Sequence, residues 1–208
     1  DHDYLREHSK GLIALSACMG GEVQANILKD NVKTAKEIAL FYKKIFREGF
    51  YLELQYHGIE EQLKINQELI SMSKELNIPL VATNDVHYIR KEDYRSHDVL
   101  LCIQTGKTVD EEQRMRYPSD EFYLKSPEQM YEIFSYVPEA LENTVKIAKQ
   151  CSFDYEFHNS KLPKFPLEED IDPYEYMREL CYKGLEKRYK NIDDNLINRL
   201  EYELDIIK

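Results

Sequence analysis

FYLELQYHGIEEQLKINQELISMSKELNIPLVATNDVHY, Phe50 to Tyr88, is the stretch that decides the fold. FYLELQ reads as a strand. From about Glu60, Ile65, Leu69, Met72 and Leu76 return on one face of a helix. Pro79 opens the next strand, PLVAT. Working outward toward the N-terminus, LIALS (Leu12 to Ser16) is a short apolar strand. Between it and Phe50, Ala35, Ile38, Ala39, Tyr42, Ile45 and Phe46 recur at helical spacing from Asn31 to about Glu48. Strand, helix, strand, helix, strand predicts parallel strands with helices packed outside, as an open sheet or a barrel.

Beyond His87 the alternation stops. A helix is predicted from about Glu92 to Thr105 and ended by Gly106. Gly106-Lys107-Thr108 is not a phosphate loop, because Leu101 stands where that motif needs a glycine. A polar loop with the strand-like EFYLK fills Thr108 to Lys125. Ser126-Pro127-Glu128-Gln129 has the form of a capping box, with proline at the first helical position. Another helix after that one is expected to carry Leu141, Val145, Ala148 and Cys151 on one face. KLPKFPLEEDIDP, Lys161 to Pro173, holds three prolines among charges and marks the domain boundary. The expected domains are residues 1–160 and 161–208. The second is mostly helical: one helix opens at Asp172 and runs to about Lys190, and a last one carries Leu196, Leu200, Leu204 and Ile207. That last helix ends without a cap, as a chain cut within a longer protein would.

Composition narrows the function classes. With 28 Lys and Arg against 39 Asp and Glu, the net charge of -11 argues against a nucleic-acid-binding module over the whole surface, though not against a local contact. No apolar run approaches the roughly 20 residues of a membrane span. The N-terminus DHDYLREHSK lacks the apolar core of a secretory signal. Cys18, Cys102, Cys151 and Cys181 form no CxxC pair, which fits reduced thiols in a cytoplasmic protein.

The chemistry concentrates at Asp85 and His87. Two residues apart on a strand, they would point to the same side, with Val86 on the other. A carboxylate and an imidazole meeting at a strand end can both ligate a divalent metal, and a capping aspartate beside a satisfied histidine explains the same spacing. Cys18, just past LIALS in SACMGGE, can reach the same edge; a thiolate there favours zinc, while a small residue in a turn built on Gly20-Gly21 is the plainer reading. His57 can line that edge or sit in a turn. His97 reads as core or surface, Asp1-His2-Asp3 as a frayed terminus, and the 16 tyrosines as core and rim.

GLIALSACMGGEV, FYLELQYHGIEEQ, PLVATNDVHY, HDVLLCIQTGKT, DEFYLKSPEQM and EALENTVKIAKQC occur in this order, followed by LPKFP and LEYELDIIK. Together they resemble the alpha subunit of bacterial DNA polymerase III over essentially the whole chain. The resemblance implies an α/β fold. Residues up to about Ser160 would be the second half of a polymerase-and-histidinol-phosphatase (PHP) β/α barrel, and the rest would lead into the polymerase palm. It carries barrel metal ligands onto Cys18, Asp85 and His87, with zinc or manganese as the ion, while earlier ligands and the polymerase aspartates with their magnesium lie outside this sequence. The implied parent is a cytoplasmic DNA-directed DNA polymerase, a nucleotidyltransferase of DNA replication that binds DNA, deoxynucleotides and other replication proteins. Its barrel would be either a 3′-5′ exonuclease or phosphoesterase, or a scaffold for replication partners. The fragment alone is expected to be inactive. Half a barrel leaves a strand edge unpaired, which predicts self-association through that edge.

Overall fold

A computed structural model describes residues 2–159, 161–168 and 170–208. Asp1 of the N-terminal triplet, Ser160 at the expected domain boundary and Glu169 within the proline-rich stretch lie outside the described residues. The chain divides into two compact units, Asp1–Phe153 and Asp154–Lys208.

In the first unit three strands, β1 (Ala14–Leu15), β2 (Phe50–Leu54) and β3 (Leu80–Ala82), form a parallel sheet in the order β1-β2-β3. Ala14 pairs with Phe50, and Leu52, Glu53 and Leu54 pair with Leu80, Val81 and Ala82. The helices are α1 (His2–Glu7), α2 (Glu22–Leu28), α3 (Val32–Phe46), α4 (Glu60–Leu76), α5 (Tyr94–Thr105), α6 (Pro127–Ile133) and α7 (Pro138–Gln150). Adjacent parallel strands need a long crossover, and α3 and α4 supply it by returning the chain from the end of one strand to the start of the next. Phe50, Leu52 and Leu54 alternate onto the core face of β2 and pack with Ala35 and Ala39 of α3 and Ile65, Leu69 and Met72 of α4. The other face of β2 carries Tyr51, Glu53 and Gln55, and that face builds the site described below.

Local signals hold where they were strong. Ser126 Oγ accepts from the Gln129 amide at 3.3 Å, and Gln129 Oε1 accepts from the Ser126 amide at 2.8 Å, which completes the capping box of α6. Gly106 ends α5 in the left-handed region at φ 64°. Three expectations need correction. First, His2 and Asp3, expected in a frayed terminus, lie in α1, and α2, for which no helix was expected, contributes the buried Val23, Gln24 and Ile27. Second, the packed face of α7 is Ala140, Leu141 and Asn143, while Val145, Ala148 and Cys151 are exposed. The helix docks on β3 through its first two turns, where Asn143 Nδ2 donates to the Leu80 carbonyl at 2.7 Å, and its last turn projects past the sheet. Third, EFYLK is not a strand; one bridge joins Tyr123 to Tyr88.

The second unit holds α8 (Pro173–Arg188) and α9 (Asp194–Ile207). The Asp172 carboxylate caps α8 by accepting from the amides of Tyr174 and Glu175, and Asp193 caps α9 through Leu196. Arg178 and Tyr182 of α8 both donate to Glu201 of α9. Leu204 is the buried residue of α9; Ile207, expected on the packed face, is exposed.

Candidate metal centre

Parallel strands put all their C-terminal ends at one edge of the sheet, and the chain leaves that edge through three turns. After β1, Ala17 adopts φ 68°, in the left-handed region that disfavours a side chain, and Cys18 follows it, exposed. After β2 come Gln55 and His57. After β3 come Thr83, Asn84, Asp85 and His87.

Glu53 ties the three turns together. Its Oε2 accepts from the Ala17 amide at 3.1 Å, and its Oε1 accepts from Gln55 Nε2 at 3.0 Å and from the Thr83 hydroxyl. Ser16 Oγ accepts from the Glu53 amide at 2.8 Å and from Gln24 Nε2 at 2.7 Å. Gln24 Nε2 also donates to the Ala17 carbonyl at 2.8 Å. With their nitrogens committed in this way, Gln24 Oε1 and Gln55 Oε1 are buried without a partner among the described residues. Both residues line a cavity of about 10 Å³ that Cys18 and Glu53 also line. The surroundings of the Cys18 turn are therefore rich in acceptors, which favours a cation over an anion.

The Asp85–His87 turn is held by the segment Glu121–Lys125. The His87 amide donates to the Phe122 carbonyl at 2.8 Å, Leu124 N to the Tyr88 carbonyl at 3.0 Å, and Asn84 Nδ2 to the Tyr123 carbonyl at 2.8 Å. Lys125, its side chain buried, donates to the Glu121 carbonyl and reaches Asn84 Oδ1 at 3.4 Å. Burial lowers the Lys125 pKa and outweighs the pull of Glu121.

Strand alternation does not bring Asp85 and His87 together. β3 ends at Ala82, and Asp85 itself adopts φ 48°. The turn converges them instead, with Asp85 Oδ1 3.9 Å from His87 Nδ1. The hydrogen bonds fix the imidazole tautomer. Nδ1–H donates to the Asp85 carbonyl at 2.9 Å, since a carbonyl only accepts, and Nε2 accepts from the Tyr117 hydroxyl at 2.5 Å. A backbone carbonyl on one ring nitrogen is the support that turns the other nitrogen toward a metal. Burial, then the charges of Asp85 and Cys18, raise the Tyr117 pKa.

An aromatic wall closes the far side. His57 stacks on Phe122 with centroids 4.1 Å apart, and His87 meets Phe122, Tyr117 and His97 edge-on or tilted. His57 is buried and not a ligand in waiting: its Nε2–H donates to the Asn84 carbonyl at 2.9 Å, and its Nδ1 accepts from Gln62 at 2.9 Å. Burial lowers its pKa and keeps it neutral. His97 is lowered by burial and by the charge of His87.

Of the three predicted residues, Asp85 and His87 share the turn after β3, while Cys18 stands on the turn after β1, with the β2 turn between them. Among the described residues no group of three or more His, Cys, Asp and Glu is close enough to hold a metal ion. Glu53, Tyr117 and Lys125 were missed. Glu53 and Gln55 had a readable signal, since they are the polar members of the alternation in FYLELQ. Tyr117 had none, because only the fold brings it to His87.

Comparison with known proteins now bears on this edge. The PHP domain family model matches residues 1–57. A DNA polymerase III subunit alpha of Borreliella burgdorferi is 43% identical over 209 residues, covering 100% of this chain and 18% of that protein. End to end, the chain matches a segment of the DNA polymerase III alpha subunit. The Campylobacter jejuni subunit is 41% identical over 98% of the chain, and that of Thermus aquaticus 43% over 91%. The chain spans 18%, 20% and 16% of these three relatives, so it corresponds to about a fifth or less of an alpha subunit. Among the described residues no helix is long and apolar enough to cross a membrane.

Proposed function

We propose that this chain works as part of the alpha subunit of a replicative DNA polymerase in the cytoplasm. Residues 1–160 would form the later part of its PHP barrel, and residues 161–208 the approach to the palm. The observation that carries this reading is the end-to-end match to alpha subunits at 43% identity. The whole subunit would extend DNA from deoxynucleotides with magnesium held by residues elsewhere, among other replication proteins. The chain alone would be inactive.

Within the barrel, Cys18, Asp85 and His87 would hold zinc or manganese together with ligands from preceding strands. Such an ion supplies Lewis acidity toward a phosphodiester. The chain's own residues prepare the site. The Asp85 carbonyl holds the His87 tautomer with Nε2 outward, the Tyr117 hydroxyl gives up that nitrogen, and Glu53 keeps the Cys18 turn in place. A 3′-5′ exonuclease or phosphoesterase activity would follow from that arrangement. The second reading is a non-catalytic scaffold for replication partners.

Thermal melting with added zinc or manganese separates the two. It is run on this chain and on one extended N-terminally through the whole barrel. Stabilisation of the extended chain that Asp85→Asn plus His87→Ala abolishes supports the metal centre. Equal melting with and without metal in both chains leaves the scaffold.

A further inference from the structure

A second cavity bears no relation to that edge. It lies at the opposite ends of the strands, where Gly11 and Leu12 lead toward β1 and Phe46 and Arg47 toward β2, and it encloses about 690 Å³. That is the size of a small-molecule site. Arg6, Lys10, Lys44 and Arg47 line it together with Phe41 and Phe46, and no carboxylate is among its lining residues. Four cations meeting in one cavity is unexpected in a chain of net charge -11.

Three of the four are uncommitted. Arg6 pairs with Asp3 at 2.7 Å and stands 5.5 Å from the Phe41 ring centroid. Lys43, the neighbour of Lys44, is tied to the carbonyls of Leu76 and Asn77 and faces away from this role. Lys10, Lys44 and Arg47 have no ion-pair partner among the described residues. Arg47 also sits at φ 55° and ψ -118°, a conformation that strains a non-glycine residue. Glycine would fit there without strain, so the side chain is held at the cavity rim against the local preference.

The chemistry required of a ligand is specific. Guanidinium forks and ammonium groups recognise phosphate oxygens. Phenylalanine rings recognise a flat, apolar-faced ring, and base–aromatic contacts of this kind are indifferent to sequence. We propose that this cavity binds a phosphorylated nucleoside, either free or as one residue of a single strand. The binding is independent of any metal at Cys18, Asp85 and His87.

The test is fluorescence anisotropy of the chain with fluorescein-labelled dT12 in EDTA, with dATP and inorganic phosphate as competitors. Three unpaired cations at about 0.7 counterions each predict a binding constant that falls roughly 20-fold between 50 and 200 mM salt. Arg47→Gly relieves the backbone and removes one cation. It should keep or raise the melting temperature, lower the salt slope by about 0.7, and weaken binding about fivefold at 100 mM salt. Lys10→Gln plus Lys44→Gln should lower the slope by about twice as much. Lys29→Gln plus Lys33→Gln, exposed and remote from the cavity, should change neither, and nor should Asp85→Asn plus His87→Ala.

Displacement of dT12 by dATP at comparable concentration assigns a free nucleotide; binding of dT12 that dATP fails to displace assigns a strand. Either supports the proposal. Inorganic phosphate competing as well as dATP would overturn it, as the phenylalanine rings would then contribute nothing. So would the absence of dT12 and dATP binding, or an unchanged salt slope in both cavity variants.

Discussion

Gly21→Ala should disrupt the Cys18 turn, and the reason is steric. Gly21 is the N-cap of α2 at φ -62°, a backbone conformation any residue adopts, so no left-handed strain is involved. A methyl group there would overlap the Ser16 carbonyl oxygen and stand 3.0 Å from Gln24 Oε1 and 3.1 Å from the Cys18 carbonyl. Carbon and carbonyl oxygen normally keep about 3.3 Å or more apart, so the backbone must move on the order of 1 Å. Two of the three obstacles are backbone, and the third is a buried glutamine whose Nε2 donates to Ser16 Oγ and to the Ala17 carbonyl. Overpacking of this kind costs about 1–3 kcal/mol, and alanine is a poorer N-cap than glycine by a further fraction of that. A total of about 3 kcal/mol corresponds to a melting temperature lower by about 6–12 °C. Gly20→Ala is the control: its methyl would meet only Cys18 Sγ, at an ordinary 3.8 Å, and should shift melting by no more than about 0.5 kcal/mol. Urea titration of both variants gives the stabilities. Reaction of Cys18 with a thiol reagent reports the turn once Cys151 and Cys181, which are also accessible, are replaced by serine; Cys102 is buried. A Gly21→Ala chain as stable as the parent, with an unchanged Cys18 rate, would refute the close packing described for this turn.

Two further outcomes follow from the site. Tyr117→Phe removes the hydroxyl that occupies His87 Nε2. In the N-terminally extended chain, zinc affinity by calorimetry should rise about 3- to 10-fold, the worth of one competing hydrogen bond; a fall would mean the hydroxyl supports the metal instead. His57, whose pKa is lowered from 6.5 by burial, binds a proton more weakly folded than unfolded. Its contribution to stability is therefore complete above about pH 6.5 and is lost as pH falls through the lower folded pKa. His57→Gln should flatten the denaturation free energy between about pH 7 and 5, and an unaltered acid slope would count against a neutral, buried His57.

How much was legible divides along one physical line. Signals that act within a few residues survived intact. The alternation of FYLELQ, the helical spacing of Ile65, Leu69 and Met72, the Ser126–Gln129 capping box and the Gly106 cap each depend on neighbours along the chain. The order of elements pointed to a parallel sheet, because strands alternating with helices commonly pair side by side through such crossovers. The site was legible only as residue types. Asp85 and His87 converge through a left-handed turn that alternation could not foresee, and that turn is pinned by residues 121–125, some forty positions on. Glu53 joins the ends of β1 and β3, Tyr117 seats on His87, and the uncommitted cations of the cavity meet across the start of the sheet from Lys10, Lys44 and Arg47. The packed face of α7 went wrong for the same reason: periodicity names a stripe, but the length of β3 decides how much of it is covered. Sequence determined which elements form and in what order; tertiary structure alone decided which side chains meet, because those contacts join residues that only the completed sheet brings side by side.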